Sequence, residues 1–137
     1  MFELTLILVG LLAGSLLTEG MVLVPFWRGL PAAKFYELHG SAGLRLFRYF
    51  ASLTALTVLS SIALAILDGR PSTWITACLC SFALASFFLF FRATNKRLAA
   101  HNYSDQELPT VLRNWSTWHH ARTILLILAF ANLTYGY

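Results

Sequence analysis

The chain has 137 residues, of which 58% are hydrophobic and only 12% are charged. So few charged residues could not cover the surface of a water-soluble domain of this size, so the composition indicates an integral membrane protein. The net charge of +4 comes from Lys and Arg near the ends of apolar segments, and we interpret it as a topology signal and not as a nucleic-acid site.

Four apolar segments are long enough to cross about 30 Å of hydrocarbon at about 1.5 Å per residue. They cover approximately residues 2–25, 46–67, 74–91 and 117–135. We therefore predict one all-α domain over residues 1–137, an integral membrane four-helix bundle. The first segment follows no Lys or Arg and has no small-residue cleavage pattern, so we expect it to be retained.

Basic residues are concentrated in the first and third connections, whereas the second has only Arg70 and the termini have none. Those of the two basic connections are Arg28, Lys34, Arg45, Arg48, Arg92, Lys96, Arg97 and Arg113. Because such residues remain on the cytoplasmic side, we expect these two connections to be cytoplasmic and both termini to lie outside the cytoplasm. The membrane we expect is a bacterial inner membrane.

Glu19 is the unusual residue of the first segment, because it lies within about 10 Å of the segment's end at Pro25. A carboxyl at this depth can reach toward the interface or bond a hydroxyl such as that of Ser15. It can also be an ion-pair or acid–base partner of His120 or Arg122. Both interpretations stay open.

The first connection predicts a short interfacial helix within residues 29–40, with Pro31 in its first turn and Gly40 at its end. His39, within this segment, could reach a site at the cytoplasmic face, but we expect it to be a solvent-exposed loop histidine. Before the fourth segment, Ser104 and Glu107 have the spacing of a capping box, which predicts an amphipathic helix leading into that segment.

The third segment ends in five residues, Phe87–Phe91, four of which are phenylalanines. These rings either face lipid or line a pocket for a flat aromatic ligand. In the second case, Phe87 and Phe91 are substrate-binding candidates.

The fourth segment begins with aromatic and titratable residues, which are expensive to place in a membrane and indicate a functional site. Helical spacing puts His119 and Arg122 on one face with Trp115, and His120 on the adjacent face. At most one of His120 and Arg122 should therefore face the bundle axis. The predicted topology brings these residues to the same depth as Glu19 and Asn95.

These residue types do not supply the four ligands of a structural zinc site, so we predict no metal and no other cofactor. Haem is the alternative, and a homo-oligomer could provide the space for it. Cofactor-free acid–base chemistry fits better, with His120 accepting a proton and Arg122 or Asn95 stabilising an oxyanion. The same residues also suit a purely interfacial anchor.

The fourth segment resembles the signature of the anthrone oxygenase family of small membrane proteins, a Trp-x-x-Trp-Asn-His-x-Arg-Thr pattern. Residues similar to those of the family occur in the same order along nearly the whole chain. The matching residues are Trp115, Trp118, His120, Arg122, Thr123, Gly10, Gly14, Pro25, the run Leu30, Pro31, Ala32 and Ala33, Asn95 and Leu98. Glu19, and His119 where the pattern has Asn, depart from the family.

The resemblance implies a four-span fold and oxidation of an anthrone to an anthraquinone by molecular oxygen. His120 would take the methylene proton, and Arg122 or Asn95 would hold the enolate oxygen. Walls for the flat substrate would come from Trp115, Trp118 and the phenylalanines. Independently of the resemblance, their position makes His119 a further substrate-binding candidate and Glu19 a further catalytic candidate. The alternative is a non-enzymatic protein in the lipid bilayer that binds haem, quinone or lipid, or that stabilises a partner complex.

Overall fold

The structure, a computed structural model, describes residues 1–136. Four long helices make up most of this part of the chain, which contains no β-strand. They are α1 (Phe2–Arg28), α2 (Ala32–Asp68), α3 (Pro71–Ala99) and α4 (Leu108–Gly136). The predicted all-α chain of four helices is confirmed.

The helices form a ring in which α1 packs against α2 and α4, and α3 packs against the same two helices. Short turns make consecutive helices antiparallel. The α2–α3 turn depends on Gly69, whose φ of 73° lies in the left-handed region that favours glycine. The result is an up-and-down bundle.

Three helices, α1, α2 and α3, are long and apolar enough to cross a membrane. Large apolar side chains are exposed on their outer faces, such as Leu59 at 66% and Leu89 at 77%. Helix α4 has sufficient length, but its polar first part and its histidines and arginine make it less apolar. Its membrane insertion, and the orientation of the bundle, stay predictions.

The first connection does not contain a separate helix with the predicted bounds. Helix α2 begins directly after Pro31, as predicted, but it continues through Gly40 to Asp68. The predicted end at Gly40 is wrong, because one glycine in an otherwise regular helix costs only about 1 kcal/mol and the residues after it continue the helical pattern. Whether this part lies at a membrane surface stays a prediction.

The capping box predicted before α4 is present in the structure. The backbone N–H of Ser104 donates to Glu107 Oε2 at 2.8 Å, and the N–H of Glu107 donates to Ser104 Oγ at 3.3 Å. The helix then runs without interruption from Leu108 into the fourth apolar segment.

Two π-helical turns interrupt the regular periodicity, at Glu19–Leu23 in α1 and Phe87–Phe91 in α3. Each contains a wider turn that shifts the inward face by one residue. In α3 the buried positions accordingly step by five residues, from Ser86 to Phe91. In α1, Glu19 and Gly20 are both buried ahead of Val24.

Two apolar clusters divide the bundle along its axis. One surrounds Leu12, Leu64 and Leu126, and we call this part the closed half. The other surrounds Phe91 and Leu112, near the α1–α2 turn and the α3–α4 connection, and we call it the cavity half.

Candidate functional site

A buried cluster of three ionisable side chains joins α1 to α4 in the cavity half. Glu19 comes from the π-helical turn of α1, and His119 and Arg122 lie one turn apart on α4. Glu19 Oε2 lies 3.7 Å from both His119 Nδ1 and Arg122 Nη2. The side chain of Glu19 is 5% exposed and that of His119 is fully buried. This is the convergence of Glu19 with α4 that the sequence indicated.

Both ring nitrogens of His119 are engaged, which defines the state of the ring. Nε2 is 2.8 Å from the carbonyl oxygen of Leu16 and must donate to it, because a carbonyl only accepts. Nδ1 therefore carries the lone pair and accepts a hydrogen bond from Arg122 Nη2 at 3.0 Å. His119 is thus a neutral spacer that positions the guanidinium of Arg122 beside Glu19.

Close approach of the two helices at this point requires Gly20. A Cβ atom there would lie 3.1 Å from His119 Cδ2 and 3.5 Å from His120 Nε2. The absence of a side chain lets the π-helical turn of α1 contact the histidine face of α4.

Aromatic rings fix the rest of the cluster. The Arg122 guanidinium lies over the Phe91 ring, 4.1 Å from its centroid, and the Trp115 ring stacks on His119 with centroids 5.1 Å apart. Trp115 Nε1 donates to Asn95 Oδ1 at 2.9 Å. Asn95 therefore orients Trp115 and links α3 to the cluster.

Two buried polar atoms of the cluster, Glu19 Oε2 and Arg122 Nε, have no hydrogen-bond partner. Buried polar groups are nearly always hydrogen-bonded, so unsatisfied ones need an explanation. Both residues line the cavity described next, but the two atoms themselves are buried, so a ligand can satisfy them only if the cluster rearranges on binding.

The cavity has a volume of about 600 Å³ and lies between all four helices. Its wall is mostly aliphatic and aromatic, and the cluster supplies polar groups at one place. Trp27 and Trp115, whose rings meet edge to face at 6.1 Å, both line it. A volume of this size and a wall with few polar groups are typical of small-molecule sites.

The cavity reaches the outer surface of the bundle. Three of its lining phenylalanines are strongly exposed: Phe26 at 56%, Phe47 at 47% and Phe88 at 60%. An apolar ligand could therefore enter from an apolar surrounding past these rings.

The predicted site residues fall into three groups. Glu19, Asn95, Trp115, Arg122 and Phe87 line the cavity. Directly behind this wall, His119 and Phe91 support Arg122.

His120 and Trp118 lie outside the cavity. His120 is exposed and its Nδ1 donates to the Ser116 carbonyl oxygen at 2.7 Å, whereas Trp118 stacks on Phe90 at the surface. Neighbouring residues of a helix point about 100° apart. Because His119 points into the bundle, Trp118 and His120 on either side of it must point away from the cavity. The roles predicted for them stay predictions without geometric support, and of His120 and Arg122 it is Arg122 that faces inward.

His39 was expected to be an exposed loop residue, and this expectation is wrong. It is half-buried and lines the cavity. A signal was present in the sequence, because the cavity-lining residues of this stretch recur at helical spacing. They are Phe35, Leu38, His39, Ala42, Gly43 and Leu46.

Metal and haem ligation can be tested against the donors. Within residues 1–136, no group of three or more His, Cys, Asp or Glu side chains is arranged to hold a metal ion. Among candidate axial haem ligands, His119 has both ring nitrogens occupied and His120 does not line the cavity, whereas His39 does.

Comparison of the chain with protein-family models, curated proteins and solved structures gives no match.

Proposed function

We propose that this chain is a four-span membrane protein that binds a flat, apolar aromatic molecule carrying an oxygen and oxidises it with molecular oxygen, without a resident cofactor. In this proposal both termini lie outside the cytoplasm of a bacterium. The observation that carries it is the buried Glu19, His119 and Arg122 cluster, with unsatisfied polar atoms, beside a cavity whose wall is mostly apolar and aromatic.

Recognition would occur at Arg122. Its guanidinium is held from one side by Phe91 and from another by His119, and Glu19 balances its charge. A fixed cation in a water-poor site stabilises negative charge that develops on a ligand oxygen. The flat ring system would pack against Trp27, Trp115 and Phe87.

The resemblance to anthrone oxygenases suggests the reaction. A methylene C–H bond breaks, its proton goes to a base, and its electron pair delocalises onto the oxygen beside Arg122. This electron-rich enolate transfers electrons to molecular oxygen, and a C–O bond forms. Loss of the second C–H bond and cleavage of the O–O bond give a quinone and one molecule of water, which accounts for all four electrons that oxygen accepts.

A second candidate is a binding protein for a quinone or another lipid, without turnover. The exposed apolar rim formed by Phe26, Phe47 and Phe88 favours it, because such a rim suits exchange of a ligand with the bilayer. Both candidates use the same cavity and differ only in whether oxygen is consumed.

Oxygen uptake by purified full-length protein in lipid nanodiscs tests the proposal, with anthrone as substrate and metal content and absorption spectrum recorded. We expect uptake above that of empty nanodiscs, and a loss of about 100-fold in Arg122→Lys, which keeps the charge but loses the planar donors. Arg113→Lys, an exposed site on the same helix, is the matched control. Quenching of tryptophan fluorescence by anthraquinone without oxygen uptake would favour the second candidate. The absence of both signals would refute both candidates.

A further inference from the structure

His39 is a polar group on the cavity wall apart from the cluster, as are Thr54 and the exposed Arg28. Its ring stacks on Phe35 with centroids 5.6 Å apart and an interplanar angle of 19°. Gly43, one turn later, leaves room for it, since a Cβ there would lie 3.5 Å from His39 Cε1. The ring is therefore held flat along the inner face of α2.

The nitrogens of this ring are free to act on a ligand. No residue of 1–136 hydrogen-bonds to either of them, and the half-buried side chain keeps contact with the exterior. Among the histidines in this range, His39 alone lines the cavity. His101, by comparison, is exposed and stacks on Tyr36.

The pairing of α1 with α2 gives the distance between His39 and the cluster along the bundle. Thr5 bonds the carbonyl of Ser60, Thr57 bonds that of Leu8, and Ser15 bonds Tyr49. Extending this antiparallel register places Leu46 opposite Glu19. His39 is about seven residues nearer to the α1–α2 turn, which corresponds to about 10 Å along the axis.

A flat tricyclic ketone with a methylene group opposite its carbonyl matches this spacing. The carbonyl oxygen and the methylene carbon are about 4 Å apart across the central ring. With a contact of about 3 Å at each end, such a molecule extends over about 10 Å between a donor and a base.

We infer that His39 is the catalytic base of the cavity and takes the methylene proton of a flat ketone whose oxygen is bound by Arg122. The C–H bond breaks, the proton moves to the free lone pair of the neutral imidazole, and the electron pair delocalises onto the oxygen beside Arg122. Glu19 remains the counter-ion of Arg122. This inference rests on the proposed function and assigns the proton acceptor that the oxidation needs.

Hydrogen–deuterium exchange of the anthrone methylene under argon tests this step without oxygen chemistry. Full-length protein in nanodiscs is mixed with anthrone in heavy water, and the methylene signal is followed by NMR. We expect the exchange rate with the wild type to be higher than with empty nanodiscs, and this enhancement to be about 100-fold smaller with His39→Ala. Added imidazole should restore part of the enhancement, which a merely structural role would not allow.

Two controls separate binding from proton transfer. With His101→Ala, the methylene should exchange at the wild-type rate. Anthraquinone should still quench the tryptophan fluorescence of His39→Ala, with an affinity within about threefold of that of the wild type. Three results would overturn this inference while leaving the proposed function standing. They are unchanged exchange in His39→Ala, a loss of exchange that imidazole does not rescue, and a Soret absorption band that disappears in His39→Ala. A wild type that neither binds nor exchanges anthrone would overturn the proposed function together with it.

Discussion

The closed half and the cavity half are built from the same four helices but treat polar groups in opposite ways. In the closed half, side chains bond the backbone of a neighbouring helix. Thr5 and Thr57 join α1 and α2, and Asn132 donates to the Ser72 carbonyl at 2.6 Å and to Thr76 Oγ1 at 2.9 Å. These bonds suit a membrane, where interhelical hydrogen bonds and close packing replace the hydrophobic driving force.

The cavity half leaves polar atoms unsatisfied. It contains both π-helical turns, the ionisable cluster and the 600 Å³ cavity. Departures from regular geometry and from hydrogen-bond satisfaction are expected at functional sites and are tolerated where the rest of the fold is stable. The comparison indicates that the closed half supplies stability and the cavity half supplies the proposed ligand site.

The largest effect on stability is expected from breaking the cluster. Arg122→Gln leaves Glu19 buried without its cation, so the free energy of unfolding should fall by about 3 kcal/mol. The double variant Glu19→Gln with Arg122→Gln should lose clearly less than the sum of the single changes. Unfolding in mixed micelles with increasing SDS measures all three. Additive losses would mean that the two side chains do not interact, and that their 3.7 Å approach carries no energy.

A core truncation in the closed half should reduce stability without affecting ligand binding. Leu12 is 1% exposed within the apolar cluster of that half, and Leu12→Ala leaves a void that costs about 2 kcal/mol. The same SDS titration measures the loss, and quenching by anthraquinone measures binding. A change in affinity larger than about threefold would show that the two halves are not energetically separate.

Two glycines of α1 give a matched pair of smaller effects. Gly20→Ala places a methyl group 3.1 Å from the His119 ring, so the ring must shift and about 1 kcal/mol should be lost. A Cβ at Gly14 meets nothing within 4 Å, and Gly14→Ala should be neutral or stabilising by up to about 1 kcal/mol. Thermal unfolding of the two variants compares them directly, and equal losses would contradict the close approach at Gly20.

The smallest effect concerns the capping box before α4. Hydrogen bonds from Ser104 hold the pKa of the exposed Glu107 below its usual range. A carboxyl with a lowered pKa stabilises the fold above the pKa of the unfolded chain, about 4.3, and this contribution is lost as the pH falls through the folded value. The amide protection factors of the first turn of α4, which correct for the pH dependence of intrinsic exchange, should fall in this acidic range. Glu107→Gln, which cannot titrate, should remove the pH dependence of the protection factors, and its persistence in that variant would exclude the capping box as the cause.

The sequence alone determined the features that depend on spacing within one helix. The existence of four helices, the capping box at Ser104 and the shared face of Trp115, His119 and Arg122 all follow from the 3.6-residue period. The high cost of ionisable groups in apolar segments also made Glu19 a candidate partner for α4, beside the alternative of a carboxyl that reaches toward the interface.

Only the tertiary structure decided which side chains from different helices meet. Each π-helical turn shifts the inward face by one residue, and a continuous α2 brings His39 to the cavity instead of leaving it in a loop. His119 was selected over His120 because Gly20 lets α1 approach one side of α4. These outcomes depend on the rotation and register of whole helices, which are set by many weak packing contacts together and cannot be obtained from the periodicity of any single segment.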